Sequence, residues 1–381
     1  MDTISPLLSH LLEAPRFRDN KETKRKNKWL PISGTTAVAS CILVPTSSAA
    51  FTGHLPLPGP AGDQENQENC EYDDNIIRSA ALQGRSHFRF SNHFQHPPTQ
   101  SRSCPLPLMS WADGKEVWEA MLEKEAKYPH THHYIFKHPQ LQARMRPVLF
   151  EWMMEVSEVY RLHRETLYLA MDFIDRYLQA VCDMPKTSLQ LLGVTALFVA
   201  SKFEEIYPPK VTDFAYVTDG ACTEDDIKGY EIILSKALKW EFWPMTANSW
   251  LLLYLQLINL DCKDKSEEGM ESDLKLIEPH FSANLYLQVI RLLDLCMWDM
   301  DCLQFDYSIL AASALHHMGN IATLLKHTGL TWGDLVRCVQ WMSPFAAVVK
   351  TMPPAQVKFF QTVKNYDAHN IQTKTVDLEL Y

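Results

Sequence analysis

The chain has 381 residues, 46% of them hydrophobic and 11% aromatic, with 46 acidic and 36 basic side chains for a formal net charge of −10. That is globular composition, and the length suggests two domains plus extra segments. Residues 1–104 hold 11 basic against 10 acidic residues and the remainder 25 against 36, an acidic globular part that argues against direct nucleic-acid binding and suits partners presenting basic peptides.

Residues 1–104 are rich in Pro, Ser, Gln and Asn without a sustained helical period. They read as a disordered regulatory N-terminal segment, too poor in apolar surface to offset ordering entropy. Met1–Asn20 lacks the basic-then-apolar pattern of a signal peptide, so secretion is not expected. Lys24, Arg25, Lys26 and Lys28 lie in a basic run that reads either as a solvated cluster or as a nuclear-import signal. Ile42–Thr46 is a short apolar island.

Residues 105–143 form a lead-in and an N-terminal helix. Trp111, Val117, Trp118, Met121 and Leu122 recur at helical spacing after Ser110, the expected N-cap. Residues 144–242 then carry five periodic runs, 144–162, 165–181, 187–205, 210–217 and 223–240, with breaks at Pro208-Pro209 and Asp219-Gly220. Thr223 with Asp226 reads as a capping pair for the last. Residues 243–355 repeat the theme with runs at 246–260, 281–299, 307–318 and 332–352, and 356–381 form a C-terminal tail. No β-branched alternation is sustained, so the fold class is all-α.

The two series read as one unit used twice. Each has a small-residue helix suited to a central place: Gly193, Ala196, Ala200 and Ser201 in the first, Ala311, Ala312, Ser313 and Ala314 in the second. Each ends on a helix with an aromatic anchor, Trp240 and Trp341.

The run from Met145 to Tyr160 has an excess of apolar surface. At 100° per residue its apolar side chains cover roughly 240°, against the stripe of just over 100° or so that a surface helix needs. Either the helix is central and nearly surrounded, or part of the stripe is an exposed docking patch. Glu151 and Glu155 beside Trp152 would let such a patch take a peptide with an arginine and a leucine. Lys202 and Glu231 stand in apolar settings, each read as a local pair or as a polar anchor in an interface.

Chemistry of the chain's own is not indicated. The nine cysteines include no CxxC pair and read as reduced thiols. No GxxxxGK or GxGxxG occurs, so no nucleotide cofactor is expected. His130, His132 and His133, with His138 nearby, read as a bend between helices more than as a metal site. No apolar run reaches the length of a membrane span, about 18 residues.

Several segments in register carry a family resemblance. Met145-Arg-Pro-Val-Leu-Phe-Glu-Trp resembles the MRAILxDW signature that opens the cyclin box. Arg164-Glu-Thr-Leu-Tyr-Leu-Ala, Phe173-Ile-Asp-Arg-Tyr and Leu197-Phe-Val-Ala-Ser-Lys-Phe-Glu-Glu-Ile-Tyr-Pro-Pro continue it. Phe214-Ala-Tyr-Val-Thr-Asp-Gly-Ala-Cys, Lys236-Ala-Leu-Lys-Trp and Asp367-Ala-His-Asn-Ile-Gln-Thr are similar to E-type cyclins in particular.

The resemblance implies two tandem five-helix cyclin boxes and a non-catalytic regulatory subunit. Such a subunit activates a cyclin-dependent kinase of the PSTAIRE type at the G1/S transition, and docks Arg-x-Leu substrates and inhibitors. It implies kinase binding by Lys202, Phe203, Glu231, Trp240 and Phe242, and a docking patch of Met145, Leu149, Trp152, Glu155 and Gln190. Arg146 and Asp175 match a structural ion pair. The implied location is the nucleus, with cytoplasmic and centrosomal pools. A cyclin-fold subunit of a transcriptional kinase and a non-activating scaffold are the alternative classes.

Three departures stand out. Pro147 replaces the signature's alanine, so the helix should begin near Met145. Ser235 replaces an apolar residue, so burial there is expected to weaken. Leu252 replaces the asparagine of a centrosome-targeting segment that Ser249-Trp-Leu-Leu-Leu-Tyr-Leu-Gln resembles. No Thr-Pro-Pro-x-Ser/Glu phosphodegron precedes Tyr381, and the sequence names no degradation route.

Overall fold

The computed structural model describes residues 102–107, 112–259, 281–319 and 321–377, with backbone alone for 260–263. Lys24, Arg25, Lys26, Lys28, Ser110 and Trp111 lie outside the described residues. Among those described, every regular element is helical. Strand-like pairing is limited to one antiparallel bridge between His163 and Ile371.

Helix α1 spans Gly114–Lys127. Its cap is Asp113, whose carboxylate accepts from the Lys115 amide at 2.8 Å. The apolar side of α1 faces the second half of the chain: Trp118 is buried, with its ring edge-on to Trp250 at 5.7 Å. Glu125 accepts from the amide and hydroxyl of Ser308. A short 3-10 turn, His132–Lys137, follows.

The first set of five helices is α2 (Met145–Tyr160), α3 (Arg164–Ala180), α4 (Leu189–Glu204), α5 (Val211–Tyr216) and α6 (Glu224–Ala237). Helix α2 begins at Met145, which puts Pro147 inside the first turn, where its missing N–H costs nothing. Thr223 and Asp226 cap α6 reciprocally, at 3.1 and 2.8 Å. Helix α4 is central, and Gly193 sets how close α2 can come. A Cβ at that position would stand 2.7 Å from Leu149 Cδ1, inside van der Waals contact. Gly193, Ala196, Ala200 and Ser201 are all buried.

The second set is α7 (Ala247–Lys263), α8 (Ala283–Cys296), α9 (Tyr307–Met318), α10 (Ala322–Thr328) and α11 (Trp332–Thr351). Its central helix is α9, with Ala311, Ala312, Ser313 and Ala314 fully buried. Helix α10 carries no sequence signal because two turns are too short for a period to declare itself. It is stopped by Gly329 at φ +69°, a left-handed residue. There the backbone of Ser103 lies 3.1 Å from where a Cβ would be, so glycine is required twice over. The N-terminal strap is held further by Arg102, which donates to Ser308, and by its carbonyl, which accepts from the Trp118 indole.

Two buried arginines join the sets. Arg146, at the start of α2, makes a bidentate pair with Asp175 of α3, at 2.9 and 2.8 Å. Its third nitrogen donates to the carbonyls of Met297 and Trp298 beyond α8. The pair expected inside the first box therefore also reaches the second. Arg164, at the start of α3, donates to Asp294 of α8 at 2.9 Å and to Gln372 of the tail. Tyr168 donates to the other oxygen of Asp294. No single segment of sequence contains these partners.

Candidate functional site

Lys202 comes from the last turn of α4 and Glu231 from the middle of α6, and the two form a direct ion pair. The Lys202 ammonium also lies over the Phe198 ring, 4.2 Å from its centroid. Both partners remain reachable, with 36% and 24% of their side chains exposed. The local pairing considered for each is thus real, and it is pairing with each other.

What surrounds the pair is apolar and uncovered. Ile232 and Ile233 flank Glu231 and are exposed, as are Ile206, Tyr207, Trp240 and Trp243. Phe203 is half-buried between the rings of Phe242 and Trp243, both 4.9 Å away. Exposed apolar residues beside a charged pair, with Phe203, Phe242, Trp243 and Trp240 linked by ring contacts, have the composition of an interaction surface.

Two residues expected on this face behave differently. Phe242 is only 4% exposed; it lies beneath Phe203 and against Phe173, supporting the face instead of forming it. Trp240 is not the helix-terminal anchor the sequence suggested. Helix α6 stops at Ala237, and Lys239 and Trp240 both take left-handed backbone, φ +53° and +61°. Consecutive non-glycine residues there are unfavourable, and a bulky ring more so. The turn turns Trp240 outward, leaving it 61% exposed. Trp243, Ile232 and Ile233 were not singled out from the sequence. The doublet Phe242-Trp243 was the available signal, but a helical period cannot say which of two adjacent aromatics points out. Ser235 is buried, contrary to expectation, because its hydroxyl bonds back to the Glu231 carbonyl at 2.7 Å.

The second candidate surface lies along α2. Leu149 and Trp152 are buried, at 1% and 4% exposure, and Phe150, Met153 and Met154 are enclosed on other sides. A central, nearly surrounded position accounts for most of the excess apolar surface. Met145 and Val148 are half-buried at the rim, beside a cavity of about 20 Å³ lined by Met145, Leu149 and Leu141. Gln190 is buried, and its side-chain oxygen has no hydrogen-bond partner among the described residues. Glu155 is half-buried and pairs with Lys374 of the tail at 2.8 Å.

A cleft of about 290 Å³ separates the exposed aromatic face from the second set of helices, lined by Lys124, Glu165, Glu204, Trp243 and Leu252. Burial, then the charge of Glu165, pushes the Glu204 carboxyl up to about 7. Glu165 is itself held by Thr246, Asn248 and Ser249. Trp250, in the segment likened to a centrosome signal, is fully buried.

The histidines of the bend do not converge. His130 bonds Asp172, His138 bonds the Leu178 carbonyl, and His132 and His133 stack at 4.1 Å. His163 instead sits in a charged clasp. Its Nδ1 meets Glu205 at 2.7 Å and its Nε2 meets Asp367 at 3.1 Å. The hydrogen bond to Glu205 outweighs partial burial and, with Asp367, raises the imidazole to about 9. A raised base stabilises the fold fully below its unfolded value, about 6.5, and the gain is lost as pH rises through the folded value. Stability should therefore fall between about pH 6.5 and 9, with Glu125 and Glu204, both raised to about 7, adding to the fall at its lower end and His163 carrying the upper end. Chemical denaturation at half-unit pH steps should show this slope, and His163→Gln should flatten it; an unchanged slope would remove the clasp as its source.

Comparison with known proteins matches a family description to each set of helices. The family description "Cyclin, N-terminal domain" matches residues 116–242 and "Cyclin, C-terminal domain" matches 246–376. The chain is 42% identical over 355 residues to the G1/S-specific cyclin-E of Hemicentrotus pulcherrimus, covering 93% of this chain and 77% of that one. It is 48% identical over 279 residues to the G1/S-specific cyclin-E1 of Rattus norvegicus, covering 73% and 66%. It is 41% identical over 304 residues to the G1/S-specific cyclin-E of Drosophila melanogaster, covering 74% and 43%. The match therefore spans just under two thirds of the rat relative and less than half of the fly one.

Proposed function

The chain belongs to the cyclin family, among its E-type members, and from that premise we propose that it binds and activates a cyclin-dependent kinase of the PSTAIRE type at the G1/S transition. The observation that carries the reading is the Lys202–Glu231 pair set in the exposed face of Ile232, Ile233, Trp240 and Trp243. The pair supplies polar ends that can bond a partner's backbone, and the aromatic ring around it supplies area to desolvate them. The strained turn at Lys239 and Trp240 pre-sets one large side chain outward, which lowers the ordering cost of binding.

Activation then follows by population shift. The kinase alone favours an arrangement in which the glutamate of its mobile helix is away from the ATP-binding lysine. A rigid cyclin face that binds the paired arrangement more tightly draws the equilibrium toward it. The cyclin supplies no catalytic group of its own.

The second element of the reading is recruitment of Arg-x-Leu substrates and inhibitors along α2. Met145 and Val148 form its apolar rim and Glu155, with Glu151, its acidic shoulder. The basic run at Lys24–Lys28 supports action in the nucleus.

Titration of the purified chain into a PSTAIRE-type kinase phosphorylated on its activation loop tests the proposal. Phosphate transfer to histone should rise and saturate. Binding without activation would replace this reading by that of a scaffold.

A further inference from the structure

The tail that leaves the second box returns to α2 and runs antiparallel to it. The Gln372 amide donates to the Leu162 carbonyl, just past the C-terminal end of α2. Two residues later the Lys374 amide donates to Glu158 at 2.8 Å. The Lys374 ammonium reaches further toward the start of the helix, to Glu155 at 2.8 Å and Glu151 at 3.0 Å, and is closed off by Asp377 at 3.1 Å. Each pair of tail residues thus moves about one helical turn along α2, as an extended strand beside a helix should. Continuing that course brings Val376 to about the level of Met154, roughly half a turn short of Trp152. Val376 is buried, although Thr375 is half-buried and Asp377 exposed on either side.

Lys374-Thr375-Val376 therefore has the form basic, any, branched apolar. Its basic group sits on the two carboxylates that an arriving arginine would need. Partial burial opposes the charge on Lys374, but the hydrogen bonds to Glu155, Glu151 and Asp377 hold its ammonium above the ordinary lysine range, so it stays protonated and paired at neutral pH.

We propose that the strand 373–377 is a built-in occupant of the peptide-docking surface, seated as a basic-x-apolar peptide, and that an Arg-x-Leu peptide binds by displacing Lys374 and Val376. The proposal rests on the docking reading given above and adds to it a competitor carried by the chain itself. The apparent affinity for a docking peptide is then the intrinsic affinity reduced by the fraction of molecules whose strand has lifted. Arginine outcompetes lysine here because its fork can take two carboxylate oxygens at once.

The test is fluorescence anisotropy with a labelled, lysine-free Arg-x-Leu peptide and the full chain. Lys374→Ala and Val376→Asp should each bind the peptide roughly tenfold tighter, if the strand is lifted in about a tenth of molecules. Lys374→Arg should bind no tighter than the unsubstituted chain. A second readout needs no variant: excess peptide should expose the bond after Lys374 to a lysine-specific protease, scored by mass spectrometry. If the unsubstituted chain binds peptide while Lys374→Ala binds no tighter and cleavage does not rise, self-occupancy is wrong and the docking reading survives. If no form binds the peptide, both fall.

Discussion

Arg146→Ala should lower the melting temperature by roughly 10 °C, the largest stability loss we expect from a single side chain away from the apolar core. The guanidinium is fully buried, spans Asp175 and the carbonyls of Met297 and Trp298, and lies 4.4 Å from the Phe150 ring. Alanine leaves the Asp175 carboxylate buried with Tyr134 as its remaining donor. Breaking a buried pair from one side costs about 3–5 kcal/mol. In a unit of this size each kcal/mol moves the midpoint by about 2–4 °C. Removing both charges, as in Arg146→Met with Asp175→Leu, should recover part of the loss, since the uncompensated charge is gone while the two carbonyls still lack a donor. Calorimetry on the three proteins checks the order. Equal destabilisation by the single and double substitutions would mean that the carbonyl contacts, not the charge, dominate.

Lys202→Ala with Glu231→Ala should leave the melting temperature nearly unchanged and weaken kinase binding on the order of a hundredfold or more. The two charges are removed together, so neither is stranded, and a half-exposed ion pair contributes at most about 1 kcal/mol to folding. At the centre of an interface the same groups stand where truncation costs about 2 kcal/mol or more apiece. Stability and activation therefore respond in opposite proportion for this pair and for Arg146, which makes the two experiments mutual controls. Full activation by the double variant would sink the assignment of the face. A large drop in melting temperature would mean the pair is part of the core.

Most of the fold was legible because helices declare themselves by period and caps. The runs at 307–318 and 144–162 match α9 and α2 to within two residues, and the Thr223–Asp226 pair forms the expected capping box. Helix α10 was missed for want of length, and α1 is capped three residues later than expected, by Asp113. The candidate sites were legible by residue but not by exposure. Periodicity ranks side chains around one helix and says nothing of what covers it. Leu149, Trp152 and Phe242, offered as candidate contact residues, are therefore buried, while Ile232 and Ile233, which the sequence did not single out, are exposed. The role of Lys374 was out of reach for a different reason: its partners on α2 lie 219 residues away in the case of Glu155, and nothing local marks the encounter.

The arginine at the start of α3 also sets an order of events at the ribosome. Arg164 is buried with hydrogen bonds to Asp294, Gln372 and Thr373, which follow it by 130, 208 and 209 residues. At translation rates of about 5–20 residues per second, the last of these partners emerges roughly 10–40 s after Arg164 does. During that interval the first box carries a cation whose lasting partners have not been synthesised, so it cannot close to its final packing. Nascent chains are thus held from completing the first box early, and they offer chaperones and proteases a window that the finished protein does not.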